Sequence, residues 1–417
     1  MSSWKQVFAI LWTGQLFSTL SSAVVGYAVV FWLSIETGSA EVLAVSTIAS
    51  LLPQLVLGLF TGVLIDRWDR KRIMVAADLF IAVCSAIMAL LFFFGQVKLL
   101  HLYSLLALRS IGSAFHVPAM QASVPLLAPE TELLRVAGIN QVIQSISTIA
   151  GPALAAVLIS MLNMTYVLLF DVIGAAIGCI SLLLIHIPNP AKPAVAQAPD
   201  LLNEMKQGLR EITRNAGLLW LFIFMIVANF FLMPVSVLFP LMTLNHFSGG
   251  TYEMSAVEIA WGLGMLLGGA LLGIFKPKIS NVIQINAMYV LLGLTFLFSG
   301  VLTSDGFPFF VFLTFLAGIS GAVFFSAFTV VLQTLVNPAA LGRVFSIHGS
   351  ITLLPAMIGL LQTGFIADSI GITNAFIIAG AIIGLVGVIS FFIPAIRRLV
   401  AQERATAREN ALARPCA

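Results

Sequence analysis

Apolar residues run along the chain in long unbroken stretches rather than alternating with polar ones, and short polar clusters separate them. A bilayer core about 30 Å thick needs roughly 20 apolar residues per helix. Twelve runs of that size lie near 6–34, 42–65, 73–94, 99–126, 138–161, 165–187, 216–243, 254–275, 281–302, 307–332, 344–366 and 373–396. Their continuity points to helices, because the strands of a membrane barrel would alternate with period two. The first run is too long for a signal-peptide core and eleven more follow it, so it reads as a retained span. The pattern predicts an all-α polytopic membrane protein.

Between the sixth and seventh runs Pro188, Pro190 and Pro193 mark a linker. Beyond it Leu201, Leu202, Met205, Leu209 and Ile212 recur at helical spacing, opposite Glu204, Lys206, Arg210 and Arg214. This predicts an amphipathic helix on the membrane surface, with Asp200 as its N-cap. The organisation is then a six-helix half over 1–187, a linker over 188–215, a second six-helix half over 216–398, and a tail over 399–417. Gly112, Pro129 and Arg135-Val136 in the first half are answered by Gly321, Pro338 and Arg343-Val344 in the second, with the same 17-residue Gly-to-Pro interval. Gly62, ahead of one basic loop, likewise answers Gly269, ahead of Lys276 and Lys278. Repeated halves place a transport site between them near mid-membrane.

Composition narrows the class. The 417 residues are 60% hydrophobic and 9% charged, with mean hydropathy +1.08. A chain with so little charge cannot be a soluble enzyme, a disordered segment or a secreted scaffold. Its three cysteines show no framework spacing. The net charge of +3 conceals a strong asymmetry. With the N-terminus inside, eighteen of the twenty Lys and Arg fall in inner loops, Lys98 lies outside and Arg109 sits within the fourth span. By the positive-inside rule both termini are cytoplasmic. No nucleic-acid partner, metal or cofactor is expected, and no Gly-Lys dipeptide exists that could form a phosphate-binding loop, so uphill transport needs an ion gradient.

Three motifs carry the chemistry. In the loop after span two, Gly62 is followed by Asp66, Arg67, Asp69, Arg70, Lys71 and Arg72. This resembles the signature of the major facilitator superfamily, although Asp69 stands where that pattern usually has glycine. In span four, Arg109, Ser110 and Gly112 resemble the superfamily's fourth-helix motif. In span five, Gly151-Pro152 resembles the motif of its proton-coupled drug antiporters, with Ala155 and Ala156 in place of glycines. Further likeness to its bacterial macrolide-efflux transporters rests on Trp12 to Gln15, Arg109 to His116, Gln144 to Ser147 and Glu258 to Trp261.

The resemblance implies a major facilitator fold in a bacterial inner membrane, acting as a monomer that exchanges protons for a lipophilic small molecule. It implies a conformational latch formed by Gly62, Asp66, Arg67, Arg70 and Lys71, and proton coupling at Arg109. An arginine at mid-membrane calls for a wet cavity or a carboxylate. Asp171 is the first candidate partner, and Asp78 and Glu258 are also available. Asp78 lies close enough to the basic loop to pair with it, and His116 reads as a hydrogen-bonded packing residue. Polar stripes are expected to face a shared substrate cavity: Gln15, Thr19, Ser22 and Gly26 in span one, Asn140, Gln141 and Gln144 in span five, and Asn229 with Met233 in span seven. A lipid or siderophore exporter of the same fold is the alternative. A remoter one is an intramembrane serine protease using Ser320 and His348.

Overall fold

The computed structural model describes residues 4–127, 133–187, 201–275, 279–336 and 341–412. The linker over 188–200, with the Asp200 cap, and the landmarks Pro129, Pro338, Lys276 and Lys278 lie outside the described residues. Every long element among those described is a helix. The first six are α1 (Trp4–Thr37), α2 (Ala40–Arg67), α3 (Arg70–Phe93), α4 (Leu99–Leu127), α5 (Leu133–Met161) and α6 (Met164–Leu184). After the linker come α7 (Leu201–Arg214), α8 (Ala216–Leu241), α9 (Thr251–Phe275), α10 (Asn281–Val301) and α11 (Phe307–Leu335). The chain ends with α12 (Leu341–Leu361), α13 (Thr363–Ile370), α14 (Ile372–Ser390) and α15 (Pro394–Leu412).

Each of the twelve apolar runs carries a helix. Nine helices among the described residues are long and apolar enough to cross a membrane, and α4, α5 and α12 occupy the other three runs. Two boundaries differ from the hydropathy pattern. The eleventh run breaks at Gln362 into α12 and α13, and Gly371 turns the corner into α14 with φ +84°, a conformation that favours glycine. The twelfth helix stops at Ser390, and the following polar segment is not a plain tail but the helix α15.

Helix starts follow local chemistry. Asp69, the residue that departs from the family signature, caps α3 by accepting a hydrogen bond from the Arg72 amide at 3.0 Å. Asn215 caps α8 through the Gly217 and Leu218 amides. At the other end of α8, a π-helical turn over Met242–His246 follows Pro240.

Contacts gather the helices into two compact units. The first is mainly α1–α6 with the short segments Thr243–Asn245 and Gly249–Ile259, and the second holds the remainder from α7 onward. The same pairings recur in both. Helix α1 packs on α5 and α6 as α8 packs on α12 and α14, and α3 packs on α4 and α6 as α10 packs on α11 and α14. The interiors differ in kind. In the second unit Phe222, Phe296, Phe310, Phe328 and Phe376 are fully enclosed and Phe239 is buried, with the rings of Phe239 and Phe376 edge to face at 5.3 Å. The first unit buries Arg70, Asp78, Arg109 and Asp171, whereas the second buries no Asp, Glu, Lys or Arg among the described residues.

Candidate functional site

Small residues bring α1 and α6 unusually close. A Cβ placed on Gly174 would stand 1.9 Å from Ser21 Oγ, and one on Gly14 equally close to Ser181 Oγ, so only glycine permits this approach. The seam delivers the serines of α1 to carboxylates on two neighbouring helices. Asp171 of α6 is 1% exposed and forms an ion pair with Arg109 of α4. Arg109 also donates to Ser85 Oγ of α3, and that hydroxyl donates to Asp171 Oδ2 at 2.6 Å. On the other oxygen, Ser22 donates to Oδ1 at 2.7 Å. Ser21 Oγ lies 3.3 Å from Oδ1 and 3.0 Å from the Ser18 carbonyl, so its single proton serves one acceptor at a time.

A second ionisable layer lies two helical turns away. Ser85 and Asp78 are seven residues apart on α3, as are Arg109 and His116 on α4, a displacement of about 10 Å along each axis. There His116 Nε2 stands 3.3 Å from Asp78 Oδ1, at an angle poor for a hydrogen bond, while Ser18 donates to the same oxygen at 3.3 Å. Among the described residues Asp78 therefore meets His116 and Ser18, because α3 turns it toward α4 and α1. His116 gains an acidic neighbour that its sequence context did not reveal.

The remaining residues scatter. Ser22, expected to face a cavity, serves Asp171. Gln15 is buried, with no hydrogen-bond partner for its Nε2 among the described residues. Thr19 is half-buried. Gly26 does border open space, a cleft of about 320 Å³ that Tyr27, Ser46, Thr47, Ser50 and Leu106 also line. Asn229 donates to the Met225 carbonyl of its own helix at 2.9 Å, and Met233 Sδ receives Ser236 Oγ at 3.6 Å. Pro152 sits inside α5, where a Cβ on Gly151 would stand 3.3 Å from the Tyr27 ring. Side chains at Gly62, Asp66, Arg67, Asn140, Gln141 and Gln144 lie outside the described residues. In the basic loop Arg70 is buried, and Lys71 donates to the Ile185 carbonyl at 2.6 Å and the Leu183 carbonyl at 3.2 Å. Lys71 thus places a cation on the last carbonyls of α6, where a helix C-terminus favours one.

Sequence reasoning missed Ser18, Ser21 and Ser85. The available signal was the spacing of Gly14, Ser18 and Ser21 on α1, matched by Gly174, Gly178 and Ser181 on α6. As for the protease alternative, Ser320 donates to the Met288 carbonyl at 2.7 Å and His348 lies against the Phe222 and Phe328 rings, so both residues serve packing.

Comparison with known proteins agrees with this architecture. The profile of the Major Facilitator Superfamily matches residues 11–303 and 285–415. The chain is 36% identical over 398 residues to macrolide efflux protein A of Streptococcus pyogenes, covering 95% of this chain and 98% of that protein. It is 38% identical over 323 residues to macrolide efflux protein A of Enterococcus faecalis, covering 78% of this chain and all of that protein. A POT family transporter crystallised with a thioalcohol-conjugated peptide shares the fold at 13% identity, with TM-score 0.72 over 92% of this chain and 95% of that one. Nearly end-to-end likeness in sequence and fold has one meaning: the chain belongs to the Major Facilitator Superfamily and is a multi-pass membrane transporter.

Proposed function

We propose that this transporter expels lipophilic, macrolide-like drugs from a bacterial cell in exchange for protons, by alternating access. The observation that carries the reading is the buried Arg109–Asp171 pair with its serine donors. A charge pair enclosed in a membrane helix bundle is expensive and marks a functional site unless it serves packing alone. The relatives named as macrolide efflux proteins supply the substrate class.

In this reading the ion pair is neutral at rest. A proton arriving on Asp171 removes the charge that Arg109 faces and leaves the guanidinium uncompensated, which favours a rearranged packing of α4 against α3 and α6. Loss of the proton restores the pair. Substrate enters a cavity to which Gln15, Thr19, Asn140, Gln141, Gln144, Asn229 and Met233 contribute, with Gly151 and Pro152 shaping α5. Gly62, Asp66, Arg67 and Arg70 act as the latch, while Lys71 supports it by fixing the end of α6. The protein works as a monomer in the inner membrane with both termini in the cytoplasm.

Expression in a drug-sensitive bacterium should lower accumulation of a hydrophobic macrolide, and a protonophore should restore it. No protection against any of a broad panel of lipophilic drugs would overturn the substrate assignment in favour of a lipid or siderophore. Orientation has its own readout. A cysteine at Ser304 should react with an impermeant maleimide on intact cells, and one at Ala407 only after lysis. Reversal of that order would refute the inward termini.

A further inference from the structure

The helix α15, which the hydropathy pattern does not predict, packs over a slot in the second unit. Ile396 and Leu399 of α15 are buried, and a Cβ on Gly217 would stand 2.4 Å from Leu399 Cγ, so the helix lies tight on the start of α8. Farther along, Ser280 Oγ and the Val282 amide both donate to Glu403 Oε2, which ties α15 to the N-terminus of α10. Between these two attachments α15 bridges a space of about 310 Å³ bordered by α10 and the end of α14.

The lining of that space is chemically uneven. Ile283, Phe391, Ile396 and Val400 make its walls apolar. Asn286 also lines it, is 1% exposed, and has no hydrogen-bond partner for its Oδ1 among the described residues. A buried amide oxygen left without a donor is costly, so a ligand donor is expected to meet it. Arg397 stands at the opening. Its Nε donates to the Phe391 carbonyl at 2.8 Å and its guanidinium lies 5.6 Å from the ring of Phe392, which is 66% exposed. Those contacts hold the cation at the boundary between an apolar surface and the arginine-rich side, while the terminal nitrogens have no hydrogen-bond partner among the described residues. One water occupies about 30 Å³ of liquid, so the slot is far larger than a single bridging water needs. Its requirements are an anion at the rim, a hydroxyl donor within and an apolar body against the walls.

We propose that the slot between α10, α14 and α15 binds an anionic phospholipid from the leaflet facing the arginine-rich loops, with its phosphate on Arg397 and a headgroup hydroxyl on Asn286. Phosphatidylglycerol has this chemistry. Phosphatidylcholine lacks both the net charge and the hydroxyl. The lipid then stitches the tail helix to the rest of the second unit through residues that take no part in the Arg109 network, so this site stands or falls independently of the transport reading.

The test titrates purified, delipidated full-length protein with dioctanoyl phosphatidylglycerol, dioctanoyl phosphatidylcholine or inorganic phosphate and reads adducts by native mass spectrometry. Phosphatidylglycerol should bind well ahead of the other two. Arg397→Gln and Asn286→Leu should each weaken it about tenfold, the usual consequence of losing one charged or buried hydrogen bond. Asn286→Leu replaces the amide with its unpartnered oxygen by an apolar group of similar size, and its fold can be checked by melting temperature. Arg398→Gln, which alters a neighbouring exposed arginine outside the slot, should leave binding unchanged. Equal binding of the two lipids, binding of phosphate as strong as that of the lipid, or equal weakening by Arg398→Gln would each overturn the proposal.

Discussion

Arg109→Ala is expected to abolish drug efflux and substrate-driven proton release together. The substitution leaves Asp171 enclosed among Ser21, Ser22 and Ser85 without its cation. Breaking a buried pair from one side typically costs about 3–5 kcal/mol, so a lower melting temperature in detergent should accompany the loss. Arg109→Lys should be nearly as damaging. Lysine keeps a charge but replaces the planar guanidinium, whose Nη1 meets Ser85 and Asp171 together, with a compact and more strongly hydrated ammonium. The double replacement of Arg109 and Asp171 by Leu separates coupling from folding. Removing both charges is often neutral for stability, so the double variant should recover its melting temperature and insertion yet remain inactive. Proton release measured on purified protein after drug addition, beside efflux in cells, decides the matter. Unchanged proton release and efflux in Arg109→Ala would reduce the pair to a packing element.

Gly293→Ala should strongly disrupt the second unit. A Cβ at that position would stand 2.2 Å from the Gly384 amide nitrogen and 2.4 Å from its Cα, and one at Gly380 would stand 2.3 Å from the Leu297 amide nitrogen. These are main-chain atoms, so no rotamer change relieves the clash and α10 must move away from α14. Overpacking of this kind costs about 1–3 kcal/mol, and rigid neighbours place this site at the upper end. Thermal unfolding of the purified protein should show a clear drop for Gly293→Ala. Gly269→Ala should leave the midpoint almost unchanged, because a Cβ there meets nothing within 4 Å. Equal melting temperatures for the two variants would refute the close crossing.

Much of the fold was legible because lipid imposes a simple requirement: long apolar runs must become helices, and all twelve did. The boundaries were less legible. Hydropathy treats 344–366 as one stretch, yet the chain breaks at Gln362, and the polar residues past Ser390 continue as α15 through its packing on α8 rather than through hydrophobic content. The site was legible in its charges and not in its hydroxyls. Arg109 demanded a carboxylate, and Asp171 was the best-placed one. On α1, however, two polar stripes run side by side, Gln15-Thr19-Ser22 and Gly14-Ser18-Ser21. Sequence alone does not reveal which of them faces α6; the facing glycines at 174 and 178 decide it. The pairing of Asp78 with His116 was hidden for a similar reason, since the loop arginines nearby in sequence masked the partner on the next helix.

Among the described residues, the confinement of buried Asp, Glu, Lys and Arg to the first unit has an electrical meaning. A membrane potential does work only on charge that moves through it, about 2.3 kcal/mol per elementary charge per 100 mV. The second unit, with its phenylalanine interior and no buried Asp, Glu, Lys or Arg among the described residues, gives the voltage almost nothing to grip. The Arg109–Asp171 pair is a neutral dipole and gives it little more. On the proposed proton cycle, neutralising Asp171 would add one positive charge to that bundle at depth, so the membrane potential would act differently on the protonated stroke and on the return stroke.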